Sequence, residues 1–152
     1  MARTALEDRG QILDELAAAI DQLALAVACL SEAFELLDVD AADRLEAELY
    51  RPVQRAFGRA QRTHTEFAGR YALPRREFEL PSSGLSSQGV GAFVERAVTA
   101  STDANRTIAE LQDSMLPIES GDAELRTGLS DVRELLERLP AGARQFLRTL
   151  GR

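Results

Sequence analysis

At 152 residues, the chain is long enough for one domain that buries its core without disulfides or metals. Its net charge of −7 argues against general nucleic-acid binding, because affinity for phosphate requires a basic surface. Cys29 is the only cysteine and cannot form an intramolecular disulfide, which favours a reducing cytoplasm. We expect neither a secretory signal nor a membrane span, since no stretch approaches about 20 uninterrupted apolar residues. All basic residues are arginine, which is typical of a high-GC bacterial genome.

The first two predicted helices, 4–38 and 41–71, carry apolar residues in steps of three and four, as in the seam of a coiled coil. The seam of the first helix is Leu13, Leu16, Ile20, Leu23, Val27, Leu30, Phe34 and Leu37. The seam of the second is Leu45, Leu49, Val53, Phe57, Ala60, His64, Phe67 and Tyr71. A short turn between them predicts an antiparallel hairpin, and Pro52 predicts a kink or break in the second helix.

Residues 72–87 contain two prolines and a Ser/Gly cluster and predict a long loop, either functional or merely mobile. A third helix is predicted over 88–117, and a last segment over 121–139 with a short helix over 141–150. The sequence therefore predicts one all-α domain over 1–152, an up-down-up-down antiparallel four-helix bundle with coiled-coil-like heptad packing. Helical hairpins that pair as a homodimer are the alternative.

An arginine strip follows one flank of the second helix, at about 100° per residue. Its members are Arg51, Arg55, Arg59, Arg62 and Arg70. The simplest interpretation is that acidic side chains of the first helix neutralise the strip. An acidic protein partner is the second interpretation, and nucleic acid or phosphate the third, because no base-stacking aromatic residues accompany the arginines.

His64, the only histidine, lies on the apolar seam. We expect it to be a hydrogen-bonded core residue in a layer with Leu13 or Leu16, Ala97 or Ser101, and the kink at 140–143. Because Pro140 has no amide hydrogen for the Leu136 carbonyl, His64 or Ser101 could donate to that carbonyl. The alternative is a small-ligand or sensing pocket lined by His64, Phe67, Ser101, Thr102 and Asn105.

No catalytic, cofactor-binding or metal site is predicted. A dinuclear metal bundle needs two Glu-x-x-His pairs, whereas Gln61 stands three residues before His64. Cys29 is expected at a partly outward position on an acidic helix, which would raise its pKa. Ser101 has no evident acid to orient a histidine base.

The other flank of the second helix is small and uncharged, which suits close packing of another helix of this chain or of a partner. This neutral flank consists of Ala47, Tyr50, Gln54, Gly58, Gln61, Thr65 and Ala68. The functional hypothesis is a non-catalytic protein that works by protein–protein association, as an adaptor or a homo-oligomer. A ligand-binding or sensing bundle is the alternative.

Overall fold

The computed structural model describes residues 3–84 and 86–151, and within these residues the regular secondary structure is entirely helical. The helices are α1 (Ala5–Glu35), α2 (Val39–Leu45), α3 (Arg51–Arg70), α4 (Val90–Asp113), α5 (Leu116–Glu119), α6 (Ala123–Leu136) and α7 (Leu139–Leu150). A π-helical turn, Glu46–Tyr50, joins α2 to α3, and a short 3₁₀ turn, Ser86–Gln88, precedes α4. The predicted all-α class is confirmed.

The π-helical turn lies directly before Pro52. The amide of Arg51 bonds to the carbonyl of Glu46, five residues back, and Pro52 itself has no amide hydrogen to donate. Leu45, Leu49 and Val53 follow one another in steps of four, which would drift around an ideal α-helix by about 40° at each step. The wider turn corrects this drift, and all three side chains are fully buried.

Contacts between the helices fix their directions. At one end of α1, the Arg9 Nε donates to the carbonyl of Ser120, just beyond α5. Near the other end, Cys29 lies within the electrostatic reach of Arg96, in the first turns of α4. Helices α1 and α4 are therefore antiparallel.

Helix α3 is antiparallel to α1 as well, since Tyr50 contacts Ser31 near the end of α1 and His64 lies beside Leu13 near its start. Helices α3 and α4 consequently run in the same direction, and the segment between them, described over 71–84 and 86–89, leads back along the length of the helices. The predicted up-down-up-down order is wrong at the third long helix: the observed order is up, down, down, up, with α6 antiparallel to α3. Coiled-coil packing stays a prediction.

Helix α1 packs against α3 and α4, and its most extensive contact is with α4. Three alanines at seven-residue spacing on α1, Ala19, Ala26 and Ala33, are fully buried. Small residues at these positions let the two helices approach closely. The predicted seams are buried along most of their length.

Several predicted boundaries are wrong. Helix α1 ends at Glu35 rather than 38, because Asp38 caps α2 by accepting a hydrogen bond from the amide of Ala41. Helix α4 ends at Asp113 rather than 117, since Met115 adopts a left-handed conformation with φ of 68°. No helix in the described part of the chain is both long and apolar enough to cross a bilayer.

Candidate functional site

The arginine strip lies on the side of α3 that faces α6. The Arg59 Nε donates to Asp131 at 3.1 Å, and Arg70 pairs with Asp122 at 2.7 Å and with Glu124 at 3.0 Å. The expectation that the first helix neutralises the strip is therefore wrong. Helix α3 is packed between α1 and α6, and the arginine flank points away from α1.

Three members of the strip have no acidic partner. Within residues 3–84 and 86–151, Arg51, Arg55 and Arg62 form no ion pair. All three side chains are exposed. Their charge is available to a group outside the chain.

A groove of about 630 Å³ runs between α3 and α6. It is lined by Arg55, Gly58, Arg59, Arg62, Asp131, Glu134 and Leu135. The α3 wall is therefore basic, and the α6 wall carries two acidic side chains and one apolar side chain.

Two glycines in the middle of helices differ in their surroundings. A Cβ at Gly128 on α6 would lie 2.7 Å from the Thr63 Cγ2 and 3.0 Å from its Cβ, so this glycine permits the close approach of α3 and α6. A Cβ at Gly58 on α3 would have no neighbour within 4 Å. Packing within the described chain therefore explains Gly128 and leaves Gly58 unexplained.

Asp122 organises the end of the α3–α6 contact. Its carboxylate caps α6 by accepting from the amide of Leu125 at 2.8 Å, and it also accepts hydrogen bonds from Arg70 and Tyr71. Burial alone would raise the pKa of Asp122, but the hydrogen bonds from Arg70, Leu125 and Tyr71 outweigh burial and lower the pKa. The sequence signal for this residue was an ordinary N-cap position, Asp122 before an apolar-periodic segment.

His64 is buried beneath the segment that links α3 to α4. Its ring meets the ring of Phe78 edge-on, with centroids 5.3 Å apart, and its Nδ1 has no hydrogen-bond partner. The guanidinium of Arg76 lies 4.6 Å from the centre of the Phe78 ring and forms two hydrogen bonds of 3.0 Å with Asp21. Arg76 thus fixes the linking segment across α1 and over His64.

Burial lowers the pKa of His64, and the positive charge of Arg76 lowers it further. A hydrogen-bond interaction with the Leu13 backbone and the charge of Asp14 oppose this shift only in part. The surroundings of His64 therefore favour its neutral form. Of the predicted layer, only the neighbourhood of Leu13 is observed.

The structure does not bring His64 and Ser101 together. Ser101, Thr102 and Asn105 line a separate cavity with Pro140, between α4, α6 and α7. The expected layer assumed that the second and third long helices are antiparallel, whereas α3 and α4 run in the same direction. Phe67 is fully buried and packs against Tyr71, with ring centroids 4.9 Å apart.

The neutral flank of α3 is covered in part by the chain itself. Tyr50 contacts Ser31 of α1, and the carbonyl of the buried Ala68 accepts from the amide of Leu73. Ala47 and Gln54 are exposed, while Gly58, Gln61 and Thr65 are half-buried. The part of the flank next to Arg55 and Arg62 is thus open.

Cys29 is buried rather than partly outward, because α1 is covered by α4 as well as by α3. Burial raises the pKa of its thiol, and Arg96 lowers it by a smaller amount. The thiolate that a nucleophile needs is disfavoured. Among the described residues, no group of three or more His, Cys, Asp or Glu side chains could hold a metal ion.

Residues 72–87 have no helical periodicity, so the sequence does not predict that Arg76 and Phe78 cover His64. The π-helical turn had one signal, Pro52 within a run of apolar residues at steps of four. Comparison of the chain with protein-family models, with curated proteins and with solved structures finds no match. Function must therefore be argued from the surfaces of this chain.

Proposed function

We propose that the protein acts without chemistry of its own, by associating with another protein through the exposed face of α3. The proposed contact surface consists of Arg51, Gln54, Arg55, Gly58, Gln61 and Arg62. It combines the free part of the arginine strip with the open part of the neutral flank. A bacterial cytoplasm is the proposed location, since the chain has 18 arginines and no lysine and its one cysteine is unpaired.

Gly58 is the observation that carries the proposal. Glycine in the interior of a helix is about 1 kcal/mol less favourable than alanine. Nothing in the described chain requires the missing side chain, because the space around a Cβ at this position is empty. A partner backbone that approaches α3 closely would require it.

The surrounding charges indicate the kind of partner. Arg55 and Arg62 stand one turn on either side of Gly58 and have no acid within ion-pair distance in the described structure. Arginine forks pair well with carboxylates. A helix or extended segment with acidic side chains and a small residue at the crossing point fits this surface. A second copy, contributing Asp131 and Glu134 from its own groove, is the homo-oligomeric form of the same proposal.

Heptad packing within a four-helix bundle belongs to the proposal as well. Apolar residues at steps of three and four on α1, α3, α4 and α6 are buried, which supports heptad packing. Such a core leaves the exposed faces of the helices as the surfaces available for association.

Site-specific photocrosslinking can test the proposal in cells that make the protein. A benzophenone side chain replaces Gln54 on α3 in one variant and Ala141, exposed on α7, in the control. We expect a covalent adduct from position 54 and none from position 141. The adduct should disappear when Arg55→Glu and Arg62→Glu are added, because both reversals act on arginines without an internal partner.

The mass of the adduct distinguishes a second copy, which would double the 16.6 kDa chain, from a foreign partner. Arg144→Glu with Arg148→Glu on α7 is the matched control for charge reversal. A protein that sediments as a monomer and gives no adduct at position 54 would contradict the proposal. So would an adduct that survives the α3 reversals unchanged.

A further inference from the structure

A cavity of about 360 Å³ lies where α4 passes the junction between α6 and α7. Ser101 and Asn105 of α4 line one side of it, and Arg133, Glu134, Glu137 and Pro140 line the other. Apolar surface from Leu136 and Leu139 completes the lining. The cavity is distant from His64, so it is a different site from the pocket that the sequence suggested.

Ser101 brings an unpaired polar atom to this cavity. The residue is only 2% exposed, and its Oγ has no hydrogen-bond partner. Burying a hydroxyl without a partner costs stability, so such an atom needs an explanation.

Basic and acidic side chains at the cavity also lack an ion-pair partner among the described residues. Arg133 is oriented by two neutral oxygens, with Nε donating to Asn105 Oδ1 at 3.1 Å and Nη1 donating to Gln112 Oε1 at 2.8 Å. In the described part of the chain, neither Arg133 nor the nearby Glu134 and Glu137 belongs to an ion pair. The cavity therefore offers an oriented guanidinium for an anionic group and two carboxylates for a cationic group.

We propose that this cavity binds a small zwitterion, an α-amino acid with an apolar side chain. The ligand carboxylate accepts hydrogen bonds from Arg133 and from the Ser101 hydroxyl. Its ammonium group faces Glu134 and Glu137, and its side chain lies on the apolar surface around Pro140. This inference goes beyond the proposed association and does not depend on it, although Glu134 borders both this cavity and the groove between α3 and α6.

Titration of the ¹⁵N-labelled full chain, followed by heteronuclear NMR, tests the ligand class directly. The probe is L-leucine, and the controls are 4-methylpentanoate, which lacks the ammonium group, and isoamylamine, which lacks the carboxylate. We expect L-leucine to shift the amide resonances of residues around the cavity. Each control should bind about tenfold more weakly or worse, since each loses one charge-assisted contact.

Ser101→Ala separates a binding role from a structural one. Removing an unpaired buried hydroxyl should leave the melting temperature unchanged or raise it, while L-leucine binds about tenfold more weakly. Ser31→Ala, which removes a hydroxyl at another cavity, should not change L-leucine binding. Glu134→Gln with Glu137→Gln should weaken L-leucine binding and leave the binding of 4-methylpentanoate unchanged or tighter, because the two carboxylates repel that anion.

Three results would overturn the inference. One is the absence of any resonance shift with L-leucine at saturating concentration in the wild-type chain. Another is equal or tighter binding of either singly charged control. The third is wild-type affinity in Ser101→Ala.

Discussion

Replacing Gly128 by alanine tests the packing of α3 against α6. The new Cβ would lie 2.7 Å from the Cγ2 of Thr63 and 3.0 Å from its Cβ, both far inside van der Waals contact. Thr63 has little freedom to move, because its hydroxyl donates to the carbonyl of Arg59 at 2.9 Å and accepts from the Arg59 side chain at 3.0 Å. The two helices must therefore separate locally.

Overpacking of this kind costs about 1–3 kcal/mol, and the rigid neighbour favours the upper part of that range. Alanine recovers up to about 1 kcal/mol of helix propensity relative to glycine. We expect Gly128→Ala to lower the free energy of unfolding by about 1–2 kcal/mol in urea denaturation, with an unchanged m-value. Gly58→Ala is the matched control and should raise it by about 0.5–1 kcal/mol, because its Cβ meets no neighbour.

A double variant identifies the cause. Thr63→Ala removes the hydroxyl and the methyl group that the new Cβ would strike. Gly128→Ala should therefore cost less in the Thr63→Ala background, by about 1 kcal/mol or more. Equal or greater stability of the single variant Gly128→Ala would refute the argument that glycine is required at this contact.

Three further predictions concern stability. The pKa of His64 is lowered in the folded state. Neutral His64 therefore makes its full contribution to the free energy of unfolding above about pH 6.5, and this contribution is lost as the pH falls below that value. Between about pH 7 and pH 5.5, the free energy of unfolding from urea titrations should fall more for wild type than for His64→Leu. Asp122→Ala removes a helix cap and the partner of Arg70, and should cost about 1 kcal/mol more than Asp122→Asn, which keeps a capping side chain; equal thermal midpoints for the two variants would contradict this role. Ala26→Leu should cost about 1–3 kcal/mol by forcing α1 from its neighbours, whereas Ala18→Leu at an exposed position should change stability little, as measured by calorimetry.

The helices could be predicted from the sequence because each needs apolar side chains at steps of three and four to pack against a neighbour. This requirement is the same whichever helix becomes that neighbour. Leu16, Ile20 and Leu23 are buried in any arrangement that gives α1 a partner. The direction of α4 could not be predicted in the same way. An extended loop of 16 residues, such as 72–87, can span about 50 Å, which exceeds the length of about 36 Å expected for the 24 residues of α4. The loop could therefore lead to either end.

The error in direction explains the error at the candidate site. Seam position alone placed His64 and Ser101 in the core, and both are buried. Whether two core residues meet depends on helix direction, which the seams alone do not specify. The linking segment, whose contacts include the one between Arg76 and Asp21, has no period in its sequence. The identity of the buried polar residues was thus predictable, and their partners were not.

Contacts within the chain explain some departures from ideal packing and leave others unexplained. The glycine at position 128 is explained by Thr63, and the neutral state of His64 by burial and Arg76. Gly58 and the hydroxyl of Ser101 have no such explanation, although alanine at either position would favour the isolated helix. Gly58 and Ser101 lie on different faces, one beside unpaired arginines and the other in a cavity with charges of both signs. Stability and binding should therefore change in opposite directions on substitution at Gly58 and Ser101, whereas substitution at Gly128 should change stability alone.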